Sequence, residues 1–189
     1  MPFSAQAVTR TSVPDRDSRG MTDSLTAEQP RFHVWLVEAR LAIAERPGGG
    51  GRSHRRARRQ GEQEWWRANG MTDIVSGLRS RHGLVEYGLG GFGIHWFPIT
   101  DNAAAGEAVA ALVQRTEALL AEDRCVLVHV DRANGWLAGV DASLRLGLGL
   151  AGNREEAMLQ VARDGLPLDE VAETLVAGYV DASRGVKLA

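Results

Sequence analysis

The stretch from Cys125 to Leu150 constrains this chain more than any other. Cys125 to Val128 is continuously apolar, the pattern of a strand buried on both faces. A short polar turn, Asp131 to Gly135, follows it, and from Trp136 to Leu150 small and apolar residues recur at helical spacing. A buried strand that runs through a tight loop into a helix aims backbone N–H groups at one point. Such a point is a natural anion site.

The rest of the chain supplies the layers that strand needs. Phe32 to Val37 and Leu41 to Ala44 read as two short strands forming a hairpin, followed by a glycine-rich loop from Arg46 to Gly51. A lone glycine run without GKS or GxGxxG context is a weak phosphate signal. A helix is expected through to Asn69, with Asn69-Gly70 as its stop and one ring of Trp65 and Trp66 turned into the core. Asp73 to Leu78 reads as the next strand. A glycine-rich connection, Arg79 to Gly93, then carries an exposed His82 and a short helix around Leu84 to Tyr87. A strand from His95 to Ile99 precedes a long helix from Ala103 to Glu122, which Asp101-Asn102 would cap. Beyond Trp136 to Leu150, whose Gly139, Gly147 and Gly149 would allow close packing, Asn153 caps a helix from Arg154 to Asp164 that ends at Gly165. A last helix spans Leu168 to Val180, with Asp169, Glu170 and Glu173 in its early turns, where negative charge is favourable. Strands alternating with helices predict an α/β fold, a mostly parallel central sheet flanked by helices, with the Asp131 loop at a strand's C-terminal end.

Met1 to Pro30 is rich in Ser, Thr, Asp, Arg and Pro without periodicity and is expected to be a disordered tail, leaving residues 31–189 as one domain. A net charge of −2 gives no general attraction to nucleic acid or to a membrane surface. The one dense basic cluster, Arg52 to Arg59, is expected to be the solvated start of a helix; no aromatic residues interleave with it to stack bases. Only Lys187 of the 22 basic residues is a lysine, which reflects GC-rich, bacterial-like coding. The single Cys125 excludes an intrachain disulfide, lies in the buried strand and is expected to be a packing residue. No run approaches the apolar length of a membrane span, and no signal-peptide pattern opens the chain, so a cytoplasmic location is expected. No spacing of His33, His54 and His95 suggests a metal site, and no cofactor is expected.

His129, the five residues Asp131 to Gly135 and the helix after them resemble the phosphate-binding loop of the dual-specificity and tyrosine phosphatases, close to the branch of the cyclin-dependent-kinase-associated phosphatases. That family reads apolar strand, His-Cys, five residues, Arg-Ser, helix. The resemblance covers Leu41 to Val180 and implies a cysteine-phosphatase-like fold. It places Val130 where the nucleophilic cysteine would stand, Trp136 at the arginine and Leu137 at the serine. Pro98-Ile99-Thr100-Asp101 resembles the general-acid loop, which makes Asp101 the family's acid. Glu173 lies near the position of a glutamine that places water in the family.

Val130 has no lone pair to attack phosphorus, and the indole of Trp136 cannot clamp phosphate oxygens as a guanidinium does. Asp131 puts a carboxylate in or beside the loop, where it would repel phosphate. One expectation is therefore a non-catalytic pseudophosphatase holding a phosphorylated or acidic ligand, or a protein partner, through Val130, Asp131, Arg132, Ala133, Asn134, Gly135 and Trp136. A second is a repurposed enzyme acting on a small molecule, with His129, Asp131, Arg132, Asn134 and Asp101 around the pocket. There Asp131 or Asp101 would serve as acid or base, and Trp136 would pack on the substrate. A third is a residual phosphatase, for which no replacement nucleophile is visible. Should His129 not take part in chemistry, it is expected to hold loop carbonyls by hydrogen bonds.

Overall fold

In the computed structural model, residues 27–49, 56–81 and 83–186 are described. The expected tail up to residue 26, the stretch 50–55 that begins the basic cluster, and His82 lie outside them. Among the described residues, five strands form one sheet in the order β1-β2-β5-β3-β4: β1 (His33–Val37), β2 (Leu41–Glu45), β3 (Asp73–Ser76), β4 (Gly93–Trp96) and β5 (Val126–Val130). The β1–β2 hairpin is antiparallel and every other pairing is parallel. This is the mostly parallel α/β sheet that the alternation of strands and helices predicts. β5 sits at its centre, all five residues buried.

Because side chains alternate across a strand, the two faces of the sheet receive different residues. Leu41, Ile43, Val75, Val126, Val128 and Val130 belong to one core, against helices α3 (Ala105–Ala121), α4 (Gly135–Gly147), α5 (Arg154–Arg163) and α6 (Glu170–Val186). Ala42, Ala44, Ile74 and Leu127 belong to the other, against α1 (Arg56–Ala68) and α2 (Leu84–Leu89). Trp66 is fully buried there while Trp65 stays at its margin. The region from Glu28 onward already touches this layer, since the Glu28 amide donates to the Gly61 carbonyl at 3.0 Å.

Several boundaries move for identifiable reasons. β4 ends at Trp96, not Ile99, because Pro98 has no N–H to continue a ladder. The long helix begins at Ala105 rather than Ala103. Its turn is closed by Asn102, whose side chain accepts from the Ala104 amide at 3.1 Å, while Asp101 is drawn 3.4 Å from Arg79. The last helix starts at Glu170, where Asp169 accepts from the Ala172 amide at 3.0 Å, and it runs on to Val186. Asn153 caps α5 by accepting from the Glu156 amide at 2.8 Å, and Gly165 closes the turn after it in the left-handed region.

The basic cluster is not simply a solvated face. Arg58 is buried against Glu62 at 2.6 Å, and Arg59 is buried against Glu86. Gly139 does permit close packing, since a Cβ there would meet Leu175 at 2.7 Å. Gly149 meets nothing within 4 Å and instead supplies a left-handed turn at φ +68°.

Candidate ligand cleft at the strand ends

The parallel strands β2, β5 and β3 end side by side, with Glu45 opposite Val130 and Ser76 opposite His129. In open α/β sheets ligands bind beyond such carboxyl ends, because the connections diverge there and leave a crevice. A cleft of about 420 Å³ opens at this point. Its walls come from the residue after β2 (Arg46), the connection after β3 (Gly77, Leu78, Arg79, Ser80), Ile99, and the turn between β5 and α4.

The floor is apolar. Val130 is 2% exposed, as is Ile99, and both press on Gly77: a Cβ there would lie 3.0 Å from Val130 Cγ1 and 2.8 Å from Ile99 Cδ1. Among the described residues, the guanidinium groups of Arg46, Arg79 and Arg132 and the carboxylate of Asp131 stand around this floor. Arg46 is the most deeply set of the three, with 13% of its side chain exposed against 56% for Arg79 and 63% for Arg132.

Asp131 lies 3.7 Å from Arg46 and 3.7 Å from Arg132, so it does not stand as an unpaired charge in the loop. The turn ends at Asn134, whose side chain accepts from the Trp136 amide at 3.2 Å and starts α4. Trp136 forms a wall of the cleft, and the Arg79 guanidinium carbon lies 5.3 Å from its ring centre, a cation–π contact.

Of the residues singled out in the sequence, Val130, Asp131, Arg132, Asn134 and Trp136 line this cleft. Ala133 and Gly135 stand outside its wall; Gly135 faces the Asp169 carboxylate, which fills the space a Cβ would need. Asp101 is also outside it and reaches it only through Arg79. Glu173 sits in a separate shallow depression and pairs with Arg154 at 3.4 Å. Cys125 precedes β5 and so lies at the far end of the sheet, roughly 16 Å from Val130 at 3.3 Å per residue.

His129 faces away from the cleft. It is fully buried under α2, edge-on to Tyr87 with ring centres 5.7 Å apart. Its ring nitrogens are buried, and the backbone group they meet is that of Val130. Burial pushes its pKa down to about 3, the Arg46 charge acts in the same direction, and only the Val130 backbone favours the cation. The imidazole is therefore neutral at ordinary pH.

Sequence reasoning missed Arg46 and Arg79. The signal was positional: each follows the end of a parallel strand adjoining β5. The order of strands in the sheet, which decides that adjacency, is not written in local sequence.

No protein-family profile matches the chain, and no curated protein resembles it significantly. Solved structures do. Kinase-associated phosphatase with a serine in place of its catalytic cysteine superposes with a TM-score of 0.59 at 22% identity, over 76% of this chain and 87% of that one. Tk-PTP in its active form gives 0.61 at 16% identity, over 82% and 98%. The human tyrosine phosphatase-like serine/threonine/tyrosine-interacting protein gives 0.58 at 13% identity, over 84% and 99%. The chain has the fold that these dual-specificity and tyrosine phosphatase structures share.

Proposed function

We propose that this phosphatase-fold chain binds an anionic ligand, phosphorylated or acidic, at the cleft beyond β5 without cysteine-dependent phosphoryl transfer. The observation carrying this reading is that β5 delivers the side chain of Val130 to a cleft ringed by Arg46, Arg79 and Arg132. Charge to attract an anion is present; a thiolate to attack it is not. In the phosphatase reading of the loop, Val130 takes the nucleophile's place and Trp136 the arginine's, while arginines from neighbouring connections supply the positive charge. A protein bearing an acidic or phosphorylated residue would meet the same chemistry as a small ligand.

The test combines turnover and binding on one preparation. The chain should release no p-nitrophenol from p-nitrophenyl phosphate above background, while anions bind saturably and more weakly as salt rises. Turnover that survives Cys125→Ser and disappears in Asp101→Asn would overturn the proposal and point to a phosphatase working without a thiol.

The placement of Asp131 beside Trp136 favours one second reading, acid–base chemistry on an organic substrate. Its pairing with Arg46 and Arg132 engages the carboxylate in ion pairs, which suits a charge partner better than a proton donor.

A further inference from the structure

The two edges of the sheet are finished differently. β1 breaks its register between Trp35 and Val37, an irregularity that blunts an edge against further pairing. β4 runs in unbroken register with β3 and pairs on that side alone. From Gly93 to Phe97 it holds no lysine, arginine, aspartate, glutamate or proline. The Gly93 amide donates to the Thr72 carbonyl at 3.0 Å and the Phe97 amide to the Ser76 carbonyl at 2.9 Å, so alternate residues face β3. The N–H and C=O groups of Ile94 and Trp96 therefore point out from the edge.

Beside that edge lies a depression of about 540 Å³ between α2 and β4, lined by Arg81, Leu84, Val85, Leu89, Ile94 and Trp96. No β3 residue lines it, so it opens on the same side as the outward backbone groups. It shares no lining residue with the anion cleft. Val85 and Leu89 stand four apart on α2 and so share a face. At 72% and 84% they are the most exposed large apolar side chains among the described residues. Apolar surface gathered at an open strand edge is the mark of an interaction site.

The depression also carries a positioned cation. Trp96 Nε1 donates to the Leu78 carbonyl at 2.7 Å, which holds the indole, and the Arg81 guanidinium carbon lies 4.6 Å from the Trp96 ring centre. Arg81 has no carboxylate partner among the described residues, and Glu86 of α2 is paired with Arg59.

We propose that β4 is a docking edge for an extended acidic segment of another protein. The segment adds to the sheet as a further strand, bonded to the backbone of Ile94 and Trp96. It lays an apolar side chain against Leu84, Val85 and Leu89 and a carboxylate on Arg81. Ile94 and Trp96 are two residues apart on one face, so the segment carries its apolar and acidic residues two apart, in one direction or the other. A second copy of this chain fits less well. From Leu89 to Phe97 it holds no carboxylate, so pairing edge to edge would leave Arg81 uncompensated.

The probes are the capped peptides KTVTLTES and SETLTVTK, which present valine, leucine and glutamate on one strand face in the two directions. Titrated into the isotopically labelled full chain, one of them should shift the Leu89, Ile94 and Trp96 amides saturably and slow hydrogen exchange at Ile94 and Trp96. Leu89→Glu, a change at an exposed position, should weaken that binding about tenfold or more. Glutamine in place of the peptide's glutamate should weaken it about three- to fivefold in the wild type and not at all in Arg81→Gln. Saturable binding by neither peptide, affinity unchanged in Leu89→Glu, or a glutamate preference that persists in Arg81→Gln would overturn the proposal. So would sedimentation of the free chain as a dimer that Leu89→Glu dissociates, which would make a second copy the occupant.

Discussion

The two faces of the sheet are built from different materials. Toward α3, α4, α5 and α6 the strands present Leu41, Ile43, Val75, Val126, Val128 and Val130 to an almost wholly aliphatic layer. Toward α1 and α2 they present Ala42, Ala44, Leu127 and His129 to a layer holding buried Arg58, Arg59, Glu62 and Gln63 beside Trp66 and Tyr87. The first face carries stability through area and packing. The second is costly to desolvate, and it holds the Arg46 turn, through Glu62, at the mouth of the cleft. One strand, β5, serves both: Val130 closes the cleft floor and His129 lies under α2.

The largest expected effect breaks the aliphatic face. Leu144 is fully buried in α4, so Leu144→Ala should cost about 3–5 kcal/mol in chemical denaturation, through lost transfer energy and an unfilled cavity. A cost below about 1 kcal/mol would show that this layer is loosely packed.

The next sharpens the comparison on the same face, where Asp141 is a fully buried carboxylate. It pairs with Arg145 at 2.7 Å, while Arg145 also bonds Gln160 at 2.7 Å and Asp164. Burial raises the Asp141 pKa to about 6 against the opposing pull of Arg145. The folded state therefore takes up this proton more readily than the unfolded chain. Its stabilising contribution is full below about pH 4 and is lost as pH rises through 6, by up to about 3 kcal/mol. Relative to Asp141→Asn, the wild type should lose stability across that window when unfolding is followed at a series of pH values. A difference that grows in the other direction would contradict this.

His129 has the opposite sign. Its folded pKa of about 3 lies below the ordinary 6.5, so its contribution is full above pH 6.5 and is lost as pH falls toward 3. Against His129→Leu, the wild type should weaken by about 2 kcal/mol between pH 7 and pH 5. The leucine variant should hold its stability at pH 7 to within about 1 kcal/mol, the worth of the single contact with the Val130 backbone. Since the Asp141 and His129 slopes oppose each other between pH 4 and 6, the single variants should each show a steeper dependence than the wild type.

The smallest effect is at the cleft rim. Asp131 is half exposed, and Asp131→Ala should change stability by less than about 0.5 kcal/mol. It should nevertheless tighten anion binding several-fold, by releasing Arg46 and Arg132 from their shared partner. Unchanged affinity would place the Asp131 charge outside the field of the ligand.

Where the sequence was informative, the pattern was local. The apolar run ending at Val128, the hairpin before it, the Asn153 cap and the mostly parallel sheet follow from periodicity and short-range hydrogen bonding. What the sequence hid was non-local. Arg46 looked like the first residue of a glycine linker, and only the placing of β2 against β5 turns it into a cleft residue. Arg58 and Arg59 looked solvated, but Glu28, Glu62 and Glu86 meet them from three separate segments. His129 was read with the loop that follows it, because an unbroken buried run conceals which side of the strand each residue takes.

The central claim is that the cleft beyond β5 binds an anion through Arg46 and does not turn it over. Amide chemical-shift mapping during a phenyl phosphate titration, with released phosphate assayed in the same samples, tests both halves most directly. The account predicts no released phosphate above background, and saturable shifts at Gly77, Leu78, Val130, Asn134 and Trp136 that vanish in Arg46→Gln. Shifts confined to the depression around Arg154 and Glu173, or shifts at the strand ends that persist without the Arg46 guanidinium, would contradict it.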